Sequence, residues 1–196
     1  LKVSTCFTDM NQPLGNTAGL WCEVLESIEC LKGNGPDDLM AVVYCLGESA
    51  LTLAGVNNPI RKLESAISDG SALEQFKQMV TAQGGSLRSF DETSVHEPKF
   101  RKKIFAEKDG FITGMNTLEL GNAIIQLGGG RVKKDDILDP TVGIIFHKRV
   151  GDLVHAGERM LEYFCSNPNK FETGENLFKN IFTLQSNEPN SPSLFY

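Results

Sequence analysis

The sequence predicts an α/β protein, in which the end of a helix-rich α/β sheet domain precedes a smaller C-terminal α+β domain. Three observations support this class: an apolar strand pattern near the N-terminus, four helical patterns in succession, and short strands between turns from about residue 95 onward. Helical spacing of apolar residues favours helices, and short apolar runs bounded by turn residues favour strands. The expected divisions are residues 1–94, residues 95–185 and a tail at residues 186–196.

The first region combines one strand with four helices. Residues 3–8 are mostly apolar or β-branched and show little alternation, as in a parallel strand that is covered on both faces. The helical patterns that follow are bounded by cap residues, prolines and glycines, which are the usual helix boundary signals. The expected helices are residues 20–31, 37–54, 59–68 and 71–82.

The second region alternates short strands with turns. Its strands carry apolar or aromatic residues, and Lys108-Asp109-Gly110 and Val154-His155-Ala156-Gly157 supply turn chemistry. One helix at residues 118–127 ends at three glycines. A final helix is expected at residues 169–184, and the tail after it is expected to be loop. The predicted strands are residues 100–106, 111–115, 142–147 and 159–164.

Composition favours a cytoplasmic chain without a membrane span. The sequence is 40% hydrophobic and 22% charged, and no apolar run approaches the roughly 20 residues that a transmembrane helix needs. The net charge of −6 argues against nucleic-acid binding, and the basic residues at positions 99–103 are interpreted as a solvated strand. The five cysteines show no C-x-x-C spacing, so we interpret them as buried, reduced thiols.

The residues taken alone reveal no catalytic centre. His96, His147 and His155 have no carboxylate or nucleophile at a spacing that implies a catalytic pair. The Gly128-Gly129-Gly130 run could cradle an anion, but it follows a helix, where the helix dipole disfavours phosphate. A helix C-terminal turn is therefore the favoured interpretation of these glycines. Trp21 is expected to pack at a helix interface with its indole N–H bonded.

Five segments, in one order along the chain, resemble the pyrimidine nucleoside phosphorylases, the family that includes thymidine phosphorylase. They are Thr8-Asp9-Met10-Asn11-Gln12-Pro13-Leu14-Gly15 with Gly19 and Glu23-Val24-Leu25-Glu26, Lys32-Gly33-Asn34-Gly35-Pro36-Asp37-Asp38-Leu39, Met79-Val80-Thr81-Ala82-Gln83-Gly84-Gly85, Leu127-Gly128-Gly129-Gly130-Arg131 and Asp139-Pro140-Thr141-Val142-Gly143-Ile144-Ile145-Phe146-His147-Lys148-Arg149-Val150-Gly151-Asp152.

The resemblance implies a reaction and a location for the residues that bind its substrates. The family cleaves thymidine or uridine with phosphate to give the base and (deoxy)ribose 1-phosphate, and its members are homodimers. The family's phosphate and pyrimidine ligands lie in the N-terminal half, which matches nothing in this chain. We therefore expect a C-terminal fragment that carries no catalytic and no substrate-binding residues.

The resemblance also implies a potassium site at the loop of residues 12–19. Its ligands fall on the main-chain oxygens of Leu14 and Thr17 and on the carboxylate of Glu26, provided that the Thr17 region is loop and not helix. Oxygen donors of this kind suit hard cations. The alternative is that Glu23 and Glu26 are solvent-facing residues near a helix N-terminus.

Two alternative functions compete with the enzymatic one. The chain could be a non-catalytic remnant or binding module, or it could be a carrier. Residues 106–112 and 150–158 resemble the halves of a lipoyl- or biotinyl-type barrel sandwich, which predicts a lipoyl-like hammerhead for the C-terminal domain. A carrier needs an acceptor lysine at a hairpin tip, whereas Gly114-Met115-Asn116 leads into a helix.

Overall fold

A computed structural model describes residues 1–190 and 193–196, and it combines helices with antiparallel sheets, which confirms the α/β class. The described chain forms two compact units. The first unit contains Leu1–Asp9, Leu25–Val95 and Leu194–Tyr196, and the second contains Met10–Val24 and His96–Ser193. The predicted domain boundaries stay a prediction.

The four predicted helices are confirmed to within one residue at each end. Helices α3 and α4 each end two residues before a glycine, Gly70 (φ 78°) or Gly84 (φ 79°), whose left-handed conformation stops the helix. A short helix α5 and a 3-10 turn at Thr93–His96 follow. The helices are α1 (Trp21–Leu31), α2 (Asp37–Leu53), α3 (Pro59–Ser68), α4 (Ser71–Ala82) and α5 (Arg88–Asp91).

The predicted parallel strand at residues 3–8 is wrong. Only Thr8 makes a β-bridge, with Phe195, and Val3 and Phe7 are 78% and 66% exposed. An apolar run becomes a parallel strand only where neighbouring strands accept and donate its backbone hydrogen bonds. Among the described residues, this segment has one antiparallel bridge and no such ladder.

The second unit contains two antiparallel sheets. The four-stranded sheet has the order β1-β4-β6-β2 and the three-stranded sheet has the order β5-β3-β7. The four strands predicted in this region are confirmed, whereas β1, β5 and β7 were not predicted as strands. The strands are β1 (Thr17–Gly19), β2 (Phe100–Phe105), β3 (Gly110–Met115), β4 (Gly143–Phe146), β5 (Leu153–Val154), β6 (Arg159–Cys165) and β7 (Phe182–Gln185).

Helix α6 (Thr117–Ile124) follows β3, with the Asn116 side chain accepting a hydrogen bond from the Glu119 backbone N–H. A π-helical turn extends it to Gly129, near the predicted end. The single helix predicted over residues 169–184 is wrong. Helix α7 (Pro168–Gly174) is followed by a 3-10 turn at Glu175–Phe178, and the chain then pairs with β3 as strand β7.

The core of the second unit lies between the helices and the four-stranded sheet. Tyr163 is fully buried, stacks on Phe178 at 4.7 Å between ring centroids and donates a hydrogen bond to the Phe171 carbonyl at 3.3 Å. Burial raises the pKa of Tyr163 to about 12. The core residues are Leu120, Ala123, Leu127, Val142, Ile144, Phe146, Leu161, Tyr163, Cys165, Phe178 and Ile181.

Strand β2 forms the basic edge of the four-stranded sheet. Arg101 contacts Glu162 at 3.2 Å and its guanidinium lies 4.8 Å from the centre of the Phe164 ring. Lys102 contacts Glu175 at 2.6 Å. Charged residues of this kind protect an open sheet edge.

The five cysteines are free thiols, as predicted. Only Cys30 and Cys165 are buried, however, and the other three are partly exposed. Among the described residues, no helix is long and apolar enough to cross a bilayer.

Candidate functional site

The loop that precedes β1 is built into the second unit by sheet pairing. Gly15 is buried and has φ 72°, a conformation that favours glycine, and it turns the chain toward β1. The Asn16 carbonyl then accepts a hydrogen bond from the Phe146 N–H at 2.8 Å. Thr17 lies opposite Ile145 in an antiparallel register. The Thr17 region is therefore a short strand and not the loop that was expected.

Arg149 fixes the same loop from the opposite side. One nitrogen of its guanidinium donates to the Pro13 carbonyl, and a second donates to Asn16 Oδ1 at 3.3 Å. Two donors in a rigid fork hold two points of the loop at once. One cationic side chain therefore contacts the loop at two points.

The residues around Arg149 complete this contact. The backbone N–H of Val150 donates to Gln12 Oε1 at 3.1 Å. The Arg149 N–H donates to Asp152 Oδ2 at 2.7 Å, which closes the turn that carries the arginine. We call the set Gln12, Pro13, Asn16, Arg149 and Val150 the loop brace. It joins the first and the last of the five family-like segments, a pairing that the sequence analysis missed.

Strands β1 and β4 approach so closely that only glycine fits at one point. A Cβ at Gly143 would lie 2.5 Å from Cys22 Sγ and 2.6 Å from a ring carbon of Phe164. At Gly19, opposite Gly143, a Cβ would lie 2.5 Å from the Val142 carbonyl oxygen. Burial, reinforced by the charge of Glu23, raises the pKa of Cys22 to about 11. This thiol is therefore a packing group at neutral pH.

The N-terminus of α1 is tied to β1 by a carboxylate. Glu23 Oε1 accepts a hydrogen bond from the Gly19 N–H at 2.7 Å. Glu23 is exposed, as the solvent-facing alternative supposed, but it also bonds the chain just before the helix. A carboxylate in the first helical turn also interacts favourably with the helix dipole.

The register places the carbonyl of Thr17 on the outer edge of β1. Asn16 and Leu20 make the hydrogen bonds to the β4 side, to Phe146 and to Val142. In an antiparallel pair the residues between such positions direct their N–H and C=O groups away from the partner strand. The bond from the Gly19 N–H to Glu23 confirms this alternation. The Thr17 carbonyl therefore points away from β4.

The three predicted potassium ligands fall in different parts of the structure. Leu14 and Thr17 lie three residues apart in the second unit, whereas Glu26 is a partly buried residue of α1 that belongs to the first unit. No cluster of three or more His, Cys, Asp or Glu side chains occurs in the described part of the chain. A site with two carbonyl ligands would not form such a cluster, and the potassium site stays a prediction.

Asp139 organises the turn between α6 and β4. Its carboxylate accepts hydrogen bonds from the Thr141 N–H at 2.9 Å, the Thr141 hydroxyl at 2.6 Å and the Ser166 N–H at 2.9 Å. The Asp139 N–H donates to the Gly128 carbonyl at 2.9 Å. The Asp139-Pro140-Thr141 motif therefore has a structural role, in which it joins the start of β4 to the end of β6.

The glycine run ends α6, as predicted. Gly128 has φ 110°, and a Cβ there would lie 3.0 Å from Lys170 Nζ. The Gly128 carbonyl is bonded to Asp139, so the turn serves the same connection.

The histidines do not form a catalytic pair. His155 lies 3.8 Å from an Asp109 oxygen, but both side chains are 70% exposed. Partial burial, with Arg159 nearby, lowers the pKa of His147. His96 packs edge-on against Trp21 at 5.1 Å between ring centroids. The expectation that the Trp21 indole N–H would be bonded is wrong, because it has no acceptor among the described residues.

The connection that contains Lys108 is not a carrier hairpin. Strand β2 pairs with β6, and β3 pairs with β5 and β7, so the turn between β2 and β3 joins two different sheets. The chain after β3 enters α6, as predicted.

Comparisons with known proteins agree with the five segments. Residues 111–185 match the family described as the pyrimidine nucleoside phosphorylase C-terminal domain. A pyrimidine-nucleoside phosphorylase of Geobacillus stearothermophilus is 32% identical over 200 residues, covering 100% of this chain and 46% of the relative. The Staphylococcus epidermidis (strain ATCC 12228) protein of that name is 37% identical over 201 residues, covering 96% and 44%. A Staphylococcus aureus (strain USA300) relative is 38% identical over 164 residues, covering 79% and 37%. The chain thus spans less than half the length of these relatives.

Proposed function

The C-terminal part of this chain belongs to the pyrimidine nucleoside phosphorylase family, and we propose that the chain serves as the C-terminal part of such an enzyme. The proposed reaction is phosphorolysis, in which phosphate attacks C1′ of thymidine, deoxyuridine or uridine. The base leaves and (deoxy)ribose 1-phosphate forms. The groups that contact phosphate and pyrimidine are proposed to lie outside this chain.

The observation that carries the proposal is the loop brace. The Thr8–Gly15 segment and the Asp139–Asp152 segment are more than a hundred residues apart in sequence, yet Arg149 and Val150 bond directly to Pro13, Asn16 and Gln12. Parts of two family-like segments are thus in direct contact within the second unit. We propose that the loop brace positions the enzyme's phosphate-binding region, because phosphorolysis depends on holding its reactants in place and on excluding water.

The loop also suits the proposed potassium ion. Its oxygens would come from the Leu14 and Thr17 carbonyls and the Glu26 carboxylate, with further ligands outside the chain. The direction of the Thr17 carbonyl, away from β4, is compatible with this assignment. When bound, a potassium ion would supply positive charge that steadies the loop.

We further propose that the C-terminal domain is a lipoyl-like hammerhead, that the complete protein is a homodimer and that it is cytoplasmic. Two connections support the hammerhead. The turn from β2 to β3 and the turn from β5 to β6 both cross between the two sheets, as the two halves of a barrel sandwich would. A carrier function is less favoured, because Lys108 does not occupy a hairpin tip within one sheet.

The test is an assay of the protein expressed from its complete coding sequence. Thymidine and uridine are incubated with and without phosphate. The released base is quantified by chromatography, and the sugar 1-phosphate is identified by phosphorus NMR. We expect release of base only with phosphate, together with a sugar 1-phosphate. A folded protein that releases no base, or that releases it equally without phosphate, would contradict the proposal and favour a non-catalytic protein or a hydrolase.

A further inference from the structure

Two cysteine thiols in the first unit lie in direct contact. Cys6 Sγ is 3.0 Å from Cys45 Sγ, although the residues are 39 positions apart in the sequence. The contact raises the pKa of the Cys45 thiol, chiefly through its hydrogen bond with Cys6. A disulfide bond requires a sulfur separation of about 2.05 Å. The sulfurs therefore need to approach by only about 1 Å, a distance that small side-chain rotations can cover.

The surroundings of this pair differ from those of the other cysteines. Cys6 and Cys45 are both partly exposed, so a small oxidant in solution can approach them. Cys30 and Cys165 are buried. Cys22 is closely packed against the positions of Gly19 and Gly143. The susceptibility of a thiol to oxidants follows its thiolate character and its exposure, and a second thiol in contact resolves the first product, so exposure and contact are what favour a disulfide in this pair.

The pair also joins two different elements. Cys45 lies in the middle of α2, whereas Cys6 lies in the irregular segment of residues 1–9. Hydrogen bonds with the last residues of the chain hold this segment: the Asp9 N–H donates to the Leu194 carbonyl, and the Tyr196 N–H donates to the Phe7 carbonyl, both at 3.0 Å. A covalent link at Cys6 would fasten the segment to a long helix.

We propose that Cys6 and Cys45 form a redox modification site, a thiol pair that a peroxide oxidises to an intramolecular disulfide. One thiolate attacks the O–O bond of hydrogen peroxide, which gives a sulfenic acid and releases hydroxide. The second thiol attacks that sulfur, so the S–S bond forms, the S–O bond breaks and water leaves. Two thiols and one peroxide thus give one disulfide and two waters. A dithiol reductant restores the pair.

The disulfide has a structural consequence that the proposed phosphorolysis does not require. Residues 1–9 lead directly into the loop that Arg149 holds. Fixing Cys6 to α2 removes conformations from the N-terminal segment, as cross-links generally restrict the chain that they close. The modification site stands whether or not the chain belongs to an active phosphorylase.

The test uses the 196-residue chain, first reduced and then treated with hydrogen peroxide. Remaining thiols are alkylated after denaturation and counted by intact mass. The reduced chain carries five alkylatable thiols, and we expect the oxidised chain to lose two and keep three. Peptide mapping should find one linked peptide pair, joining Cys6 to Cys45, and dithiothreitol should restore all five thiols. Hydrogen exchange within residues 1–9 should slow on oxidation.

Three variants sharpen this result. Cys6→Ser and Cys45→Ser each leave four thiols, and we expect neither to form an intramolecular disulfide with peroxide, because the sulfenic acid formed on the remaining thiol of the pair has no partner to resolve it. The matched control Cys22→Ser also leaves four thiols, but it should lose two of them. Retention of all five thiols by the wild-type chain would overturn the proposal. Linkage through other cysteines, disulfides only between chains on a non-reducing gel, or oxidation of Cys6 or Cys45 to sulfinic acid without a link would do the same.

Discussion

Replacing Arg149 with alanine removes the side chain that holds the loop before β1. The guanidinium makes two hydrogen bonds, to the Pro13 carbonyl and to Asn16 Oδ1. A hydrogen bond at a partly exposed position contributes about 1 kcal/mol net, and the aliphatic stem of the arginine adds packing. Arg149→Ala should therefore lower the free energy of unfolding of the second unit by about 2–3 kcal/mol.

The assay follows urea unfolding by tryptophan fluorescence. Trp21 is the chain's one tryptophan and lies in the same unit as the loop, so its signal reports on that unit. Arg149→Lys keeps the charge but loses the fork, and it should cost about 1 kcal/mol. Arg131→Ala removes an exposed arginine of the same unit and should change stability by less than about 0.5 kcal/mol.

Hydrogen exchange provides a second readout. Backbone amides of residues 12–19 should exchange faster in Arg149→Ala, whereas amides of the core strand β6 should change less. If Arg149→Ala unfolds within about 0.5 kcal/mol of the wild type and the loop exchanges at the wild-type rate, the loop brace has no structural role and the reasoning fails.

Four further predictions concern packing, turns and activity. Gly143→Ala should destabilise the second unit by about 1–3 kcal/mol, because the new Cβ would meet Cys22 and Phe164. The control Gly121→Ala lies in helix α6 with open space around it and should not destabilise the unit. Equal melting temperatures of the two variants would contradict this prediction. Asp139→Ala should lower the free energy of unfolding by about 3 kcal/mol, because it removes the three hydrogen bonds that the carboxylate accepts. The control Asp135→Ala, at an exposed position, should change it little. Similar urea midpoints for the two variants would show that the turn does not depend on Asp139. The isolated 196-residue chain should release no thymine or uracil from nucleoside and phosphate. Release above a heat-killed control would show that the chain itself carries the groups that bind phosphate and pyrimidine. In the complete enzyme, Glu26→Ala should weaken the potassium dependence and raise the phosphate KM more than the nucleoside KM; identical kinetics of the two proteins in potassium and in a large organic cation would end the cation-site hypothesis.

Local signals predicted most of the fold. Helix boundaries depend on caps, prolines and glycines close in sequence, so α3 and α4 were placed with the bounds that the structure shows. The apolar runs of β2, β3, β4 and β6 likewise identified those strands. The errors fall where distant partners decide the structure: residues 3–8 look like a strand but pair only at Thr8, and Phe182–Gln185 looks helical but pairs with β3.

The sequence indicated the segments that form the site, but it did not indicate that they contact each other. The Pro13-Leu14-Gly15 turn and the Arg149 motif were each recognised as family-like segments. Their contact depends on a register between β1 and β4, which strands of three and four residues are too short to indicate in sequence. Nothing local in the sequence indicates that Cys6 and Cys45 meet, because their contact depends on how the segment of residues 1–9 lies against α2.

The most direct measurement of the central claim joins this chain to the N-terminal part of the Geobacillus stearothermophilus relative, at the point where the two sequences begin to align. The unmodified relative and its N-terminal part alone are the positive and negative controls. If this chain is the C-terminal part of a pyrimidine nucleoside phosphorylase, the chimera should release uracil or thymine in a phosphate-dependent reaction, and the N-terminal part alone should not. A chimera that unfolds cooperatively, like the relative, yet releases no more base than the N-terminal part alone would contradict the claim.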